Sequence, residues 1–230
     1  MQKYKKIISF SLWGDDTRYT LGAFRNCELA LKIYPDWICR FHVGLNTPTE
    51  VIDKLKSFPN SEIKMKDTDG DWTGMFWRFE DASDETVDVM ISRDCDSRLT
   101  LREKNIVDQW LNSGKKFHII RDHPYHNTEI LGGMWGVRDH FLKDIKEMIN
   151  SYNKGDFWQI DQNFLREKIY PLIKNDCHVN SEFIMAKGEN PLPFLNPRDA
   201  DHFIGQAYNG EDKILDQDKY FIDKLYESTN

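Results

Sequence analysis

The sequence lacks an excess of positive charge: 31 Lys and Arg stand against 38 Asp and Glu over 230 residues, a formal net charge of −7. Proteins that grip the nucleic-acid backbone carry a basic footprint, so that class of partner is not expected. An acidic protein that handles phosphates needs a metal ion or a few well-placed Arg and Lys. Cysteine is also sparse. Cys27, Cys39, Cys95 and Cys177 form no CxxC or other metal-ligand spacing, and four thiols are too few for a disulfide scaffold at this length. They read as reduced thiols of a cytoplasmic protein. No run approaches the roughly 20 apolar residues that span a bilayer, and the first apolar run is broken by Ser9, Ser11 and Asp15, which argues against a signal peptide. Internal repeats, low-complexity tracts and linkers are missing as well. With 40% hydrophobic and 30% charged residues, the expectation is one folded domain over 1–230.

The chain does carry a regular alternation of elements. Strands are expected at Lys6–Trp13, Trp37–Val43, Glu62–Lys66 and Val87–Ser92, and between them helices at Thr20–Tyr34, from a Thr47 cap and Pro48 to Phe58, and at Met75–Ser83. Further on come a helix at Leu101–Asn112, strands at Lys116–Ile120 and Glu129–Val137, and helices at His140–Tyr152, Asp161–Ile173 and Asp216–Tyr226. A proline-rich loop falls at Pro191–Pro197. Strands and helices in this order predict an α/β domain with a mainly parallel central sheet flanked by helices. Ligands of such sheets sit at the carboxyl ends of the strands.

One such strand end carries chemistry. The apolar run to Ser92 leads into Arg93-Asp94-Cys95-Asp96-Ser97-Arg98. Two carboxylates two residues apart, where the backbone turns out of a sheet, can reach one hard cation such as Mn2+ or Mg2+. That ion would keep open positions for diphosphate oxygens. The competing reading is a solvated turn paired with Arg93 and Arg98. In the segment Arg121–His126, Asp122 and His123 could meet sugar hydroxyls at a strand end, or serve the structure alone. A zinc reading of His123 and His126 is weakened by Pro124 and by the lack of further ligands. Asp67-Thr68-Asp69-Gly70-Asp71 begins like a calcium loop but has Trp72 and Arg78 at its sixth and twelfth positions, and fits a mobile active-site loop better. Trp72 and Trp135 are open to use as core or as sugar platforms.

Several separated segments carry a resemblance: Ser11-Leu12-Trp13-Gly14-Asp15-Asp16 with Tyr19, Arg40–Val43, Arg78, Asp94-Cys95-Asp96, Asp161-Gln162-Asn163-Phe164-Leu165 and His202-Phe203-Ile204-Gly205. In this order the chain resembles the GT-A-fold glycosyltransferases, most nearly family 8, the bacterial galactosyltransferase and glycogenin type. The resemblance implies a hexosyltransferase that takes a nucleoside-diphosphate sugar, with UDP the expected nucleotide, and a glycan or similar hydroxyl acceptor, with retention of configuration. It implies nucleotide and donor contacts from Ser11, Leu12, Trp13, Asp16, Tyr19, Arg78, Asp94 and Arg98, and donor-sugar contacts from Asp161 and Gln162. It also implies a metal held by Asp94, Asp96 and His202. Asp122, His123, Gly133 and Trp135 are the candidates for acceptor or sugar contacts.

Two departures stand out. The family's lysine after the His-Phe-x-Gly segment is replaced by Gln206-Ala207-Tyr208-Asn209, leaving Arg78, Arg98 or Lys213 to meet the phosphates. The family's Asn-x-Gly strand is replaced by Leu131–Gly136. A metal-dependent nucleotidyl or phosphoryl transferase, and a non-catalytic carbohydrate-binding protein, are the alternatives. The acidic turn at residues 14–18 counts against a triphosphate loop.

Overall fold

A computed structural model describes residues 4–152, 154–198, 202–215 and 222. Its centre is a seven-stranded sheet in the order β3-β2-β1-β4-β6-β5-β7. The strands are β1 Lys6–Leu12, β2 Ile38–Val43, β3 Ser61–Met65, β4 Val89–Ser92, β5 Phe117–Arg121, β6 Trp135–Arg138 and β7 Cys177–Ser181. Only β6 runs antiparallel to its neighbours. The pairs around β1 and β2, and the β5–β7 pair, are parallel. Every residue of β4 is buried, as a central strand covered on both faces requires.

Alternation along β1 divides the core. Ile8, Phe10 and Leu12 pack with Ala23 and Cys27 of α1 (Thr17–Ile33) and with Val107 and Trp110 of α3 (Leu101–Asn112). Ile7 faces the other layer, with Phe79, Trp135, Ile145 and Phe164. That layer holds a run of 3₁₀ turns at Trp72–Ser83, α4 (Ile145–Asn150), and an end-to-end run of α5 (Ile160–Phe164), a π turn (Leu165–Ile169) and α6 (Tyr170–Ile173). The remaining helix, α2, spans Thr49–Lys56. Each large side chain buried here contributes roughly 1.5–3 kcal/mol.

Several expectations change. Helix α1 starts three residues early because Asp16 caps it, its carboxylate accepting from Arg18 N at 2.8 Å. Helix α2 begins at Thr49 with Pro48 as its cap, and the Thr47 hydroxyl is buried without a hydrogen-bond partner. The helix expected at Met75–Ser83 is a 3₁₀ run beginning at Trp72. The helix expected from His140 starts at Ile145, since Asp139 and His140 take φ of 56° and 53° and turn the chain first. The π turn precedes Pro171, whose missing N–H and bulky ring cannot continue an α-helical ladder. Strand β7 was not expected. The helix expected at Asp216–Tyr226 lies outside the described residues, Ile222 apart. All four cysteines are free, and no helix among the described residues is long and apolar enough to cross a membrane.

Candidate active site

The acid pair sits where β4 leaves the sheet. Arg93 turns inward, its Nε donating to Glu103 at 2.7 Å and its Nη1 to the Trp135 carbonyl at 3.1 Å. Arg98 pairs with Asp212 at 2.8 Å. Neither arginine neutralises the acid pair, so the solvated-turn reading fails. Cys95 is buried, and Asp94 and Asp96 on either side of it reach the same cleft. Helix α1 clamps this turn. A Cβ at Gly22 would collide with the Cys95 carbonyl, and Asn26 donates to Ser97 O at 2.9 Å and accepts from Leu99 N at 3.1 Å.

Arg78 ties the acid pair to the helix layer. Its Nη1 lies 2.6 Å from Asp94 and its Nη2 2.9 Å from Asp161, while its backbone N–H donates to Ser11 Oγ at 3.0 Å. Gly132 and Gly133 pass directly beneath. A Cβ on Gly132 would strike the Asp161 carboxylate and the Arg78 guanidinium, and one on Gly133 would strike Asp94. This close approach is why the strand expected at Glu129–Val137 shortens to Trp135–Arg138. Asp161 follows Gln159, which takes a left-handed φ of 70° just before α5; such strain concentrates at functional sites. On the opposite wall Arg18 Nη2 lies 2.5 Å from Asp96.

Burial raises the pKa of both Asp161 and Asp96, and the charge of Asp94 adds to the rise, so the paired arginines do not fully compensate. Arg78 moves up instead: burial alone would lower it, but Asp94 and Asp161 outweigh burial. His126, half-buried beside His123, is pushed down to about 3, chiefly by desolvation, and stays neutral, accepting from Asp122 N at 3.0 Å.

The cleft holds about 900 Å³. Its described lining carries seven carboxylates, Asp15, Asp16, Asp71, Asp94, Asp96, Asp156 and Asp161, against two guanidiniums, Arg18 and Arg78. With all ionised, five negative charges are in excess. Trp13 and Tyr19 line one side, and Trp72 and Trp158 reach it while 46% and 65% exposed. The loop expected to be mobile is pinned beside it. Leu45 N donates to Thr68 O at 3.0 Å, and a Cβ on Gly70 would collide with the Trp13 indole.

The cleft therefore gathers Ser11, Leu12, Trp13, Asp16, Tyr19, Arg78, Asp94, Asp96, Gly133, Asp161 and Gln162. Five expected residues lie outside its lining. Arg98 is held by Asp212, with Tyr208 stacked 4.5 Å from its guanidinium. Asp122 is fully buried, paired with Arg102 at 2.9 Å and Arg198 at 2.6 Å, and accepts from Ile204 N, so it locks the loop and does not meet a sugar. His123 is buried against Phe203, with ring centres 4.3 Å apart. Trp135 is core, stacked on Phe117 at 5.2 Å. His202 is exposed, and among the described residues no three His, Cys, Asp or Glu side chains are grouped to hold a metal. Arg18, Asp156, Trp158 and Gln159 are among the lining residues that sequence reasoning missed, and His126, weighed there only for zinc, lines the cleft too. The acidic neighbours of Arg18 hid it, and the solvent-facing Trp158 carried no periodic signal.

No family model matches the sequence, and no curated protein does. Solved structures do. A glycosyltransferase involved in the glycosylation of the major capsid of PBCV-1 superposes with a TM-score of 0.52 at 14% identity, over 77% of this chain and 81% of that one. The two share a fold. The 4-diphosphocytidyl-2C-methyl-D-erythritol synthase of Anaerococcus prevotii DSM 20548 matches with a TM-score of 0.48 at 12% identity, over 78% of this chain and 87% of that one. The expected α/β architecture, a mainly parallel sheet with helices on both faces, is thus present and has a solved glycosyltransferase counterpart.

Proposed function

We propose that this chain is a glycosyltransferase that moves a hexose from a nucleoside-diphosphate sugar, with UDP as the nucleotide, to a glycan hydroxyl, and that it requires Mn2+ or Mg2+. The observation that carries the reading is the convergence of Asp94, Asp96, Arg78 and Asp161 on one cleft at the carboxyl ends of β1 and β4. Charge supports the cation. A diphosphate entering a cleft with five excess negative charges is repelled unless positive charge comes with it. Asp94 and Asp96 supply the hard oxygen ligands that Mn2+ and Mg2+ prefer. When bound, such an ion stabilises the charge that grows on the departing diphosphate.

The chain's own residues have separate tasks. Ser11, Leu12, Trp13 and Tyr19 line the wall of the cleft at the end of β1 and take the nucleoside. Arg78, fixed by three hydrogen bonds, holds Asp94 and Asp161 at a set separation. Asp161 and Gln162, at the start of α5, face the sugar; Gln162 N donates to Asp161 Oδ1 at 2.8 Å, which orients that carboxylate. The family 8 resemblance supports retention of configuration. His202 has no part in the proposal.

Thermal unfolding with UDP, with and without MnCl2, tests this reading. A native-state ligand at 100 times its Kd adds about 2.7 kcal/mol of stability. UDP should raise the melting temperature only with Mn2+, and Asp94→Ala should abolish both that shift and donor turnover. A UDP shift that ignores metal would sink the metal assignment. Consumption of nucleoside triphosphate with pyrophosphate release would replace glycosyl transfer by nucleotidyl transfer.

A further inference from the structure

The cleft needs a cation for the diphosphate, and three candidates are already committed. Arg98 is bound to Asp212 outside the lining. Lys213 pairs with Glu211 at 2.7 Å, also outside it. Arg78 is clamped between two carboxylates with its side chain only 7% exposed. Arg18 is also ion-paired, but to an acid of the cleft itself and from a more open position than Arg78. It lines the cleft, its side chain is 35% exposed, and its only ion pair among the described residues is to Asp96. Its Nε is buried with no hydrogen-bond partner, an unused donor in a site otherwise short of positive charge. It also stands in the first turn of α1, where the helix dipole favours an anion.

We propose that Arg18 is the diphosphate-binding cation of the donor site, and that in the donor-free protein its guanidinium occupies Asp96 in place of the divalent ion. This rests on the donor reading above. A guanidinium 2.5 Å from Asp96 and a metal ion held by the same carboxylate repel each other, so the two cations compete. With a metal held by Asp94 and Asp96, the Arg18 guanidinium would be free to meet phosphate oxygens in the cleft that it lines. Its planar fork matches phosphate oxygens better than a lysine ammonium does. The competition has a diagnostic consequence. Arg18 opposes binding of the metal alone and assists binding of the nucleotide with metal, so its removal moves the two affinities in opposite directions.

Calorimetric titration of the full chain with MnCl2 alone, and with UDP at saturating MnCl2, reads both. Arg18→Ala should bind Mn2+ about two- to five-fold more tightly, the scale of a half-exposed ion pair. The same variant should bind UDP about ten-fold or more weakly, the scale of a lost charge-assisted hydrogen bond. Arg18→Lys, which keeps the charge and loses the fork, should fall between wild type and Arg18→Ala for UDP. Should Arg18→Ala fail to fold, Arg18→Gln, which keeps the aliphatic stem and loses the charge, carries the same two opposed shifts. Unchanged UDP affinity, or Mn2+ affinity that falls along with it, overturns the assignment while leaving glycosyl transfer standing. A wild-type chain that binds no UDP with or without Mn2+ overturns both.

Discussion

Arg78 and Asp81 lie three residues apart on the same 3₁₀ run, and their surroundings are opposite in charge balance. Asp81 is sealed. Ser9 Oγ donates to it at 2.7 Å, Arg40 lies 2.8 Å away, His42 3.2 Å and Lys64 3.6 Å. Burial alone would raise its pKa, but His42 and Arg40 outweigh burial and hold it well below the usual carboxylate range. Around Arg78 the balance reverses. Asp94 and Asp161 share one guanidinium, and burial still raises Asp161. Ser9 and Ser11, two residues apart on one face of β1, anchor the two sites. A buried cluster that supplies its own counter-charges holds the fold together. One left with excess charge is completed by something that binds.

The largest test of this contrast is Asp81→Asn. Removing one partner of a buried ion pair leaves Arg40, 2% exposed, short of charge, and such losses run to about 3–5 kcal/mol. Glu62 and Asp84, at 2.8 and 2.9 Å from Arg40, put the expected loss near ~3 kcal/mol in urea denaturation. Under folding conditions UDP affinity with Mn2+ should hold. A stable Asp81→Asn protein that no longer binds UDP would invert the comparison, making the sealed cluster functional and the open one structural.

Asp161→Asn gives the next effect, read through pH. The folded-state pKa of Asp161 is raised, so its contribution to stability is fully present below the unfolded value, about 3.9, and is lost as pH rises through the folded value. At neutral pH the ionised carboxylate is therefore less at ease in the fold than in water. Asp161→Asn should gain stability relative to wild type as pH is raised from 4 to 7. Asp81 has the opposite sign: its lowered pKa gives stability above the unfolded value that disappears as pH falls. Asp81→Asn should therefore lose ground relative to wild type as pH is raised through the range below about 4, and keep level with it from 4 to 7. Parallel pH profiles for the two variants would remove the electrostatic distinction between the sites.

The sequence disclosed the open cluster better than the sealed one. Val89–Ser92 is a continuous apolar run that ends in two acids, so both the strand and its load were legible. The link from Arg78 to Asp94 and Asp161 came through family spacing. Asp122 and His123 misled because an acid and an imidazole at a strand end look alike in sequence whether they face solvent or are sealed. The arginines that seal Asp122 come from α3 and from the chain after the proline-rich loop. Strand β7 was hidden for a related reason. Its buried His178 and Asn180 read as surface, yet Asn180 Oδ1 accepts from His118 Nε2 in the interior at 2.9 Å. Arg18 was masked by Asp15 and Asp16, and its partner Asp96 lies on a distant strand end.

The smallest expected effect lies at the rim of the open cluster. Trp158 lines the cleft while 65% exposed, and Trp72 stands there 46% exposed, large rings left in water beside a polar site. Neither packs in the core, so the apolar face of a sugar ring is the surface that such rings suit. Truncating Trp158 removes little buried area, and surface substitutions of this kind usually change stability by less than about 0.5 kcal/mol. Its stacking is worth about 1 kcal/mol, so Trp158→Ala should raise the KM for a glycan acceptor about five-fold. UDP affinity should not change for a ring that serves the acceptor. An equal loss of acceptor and UDP binding would mean that Trp158 covers the nucleotide, and the rim would then belong to the donor half of the cleft.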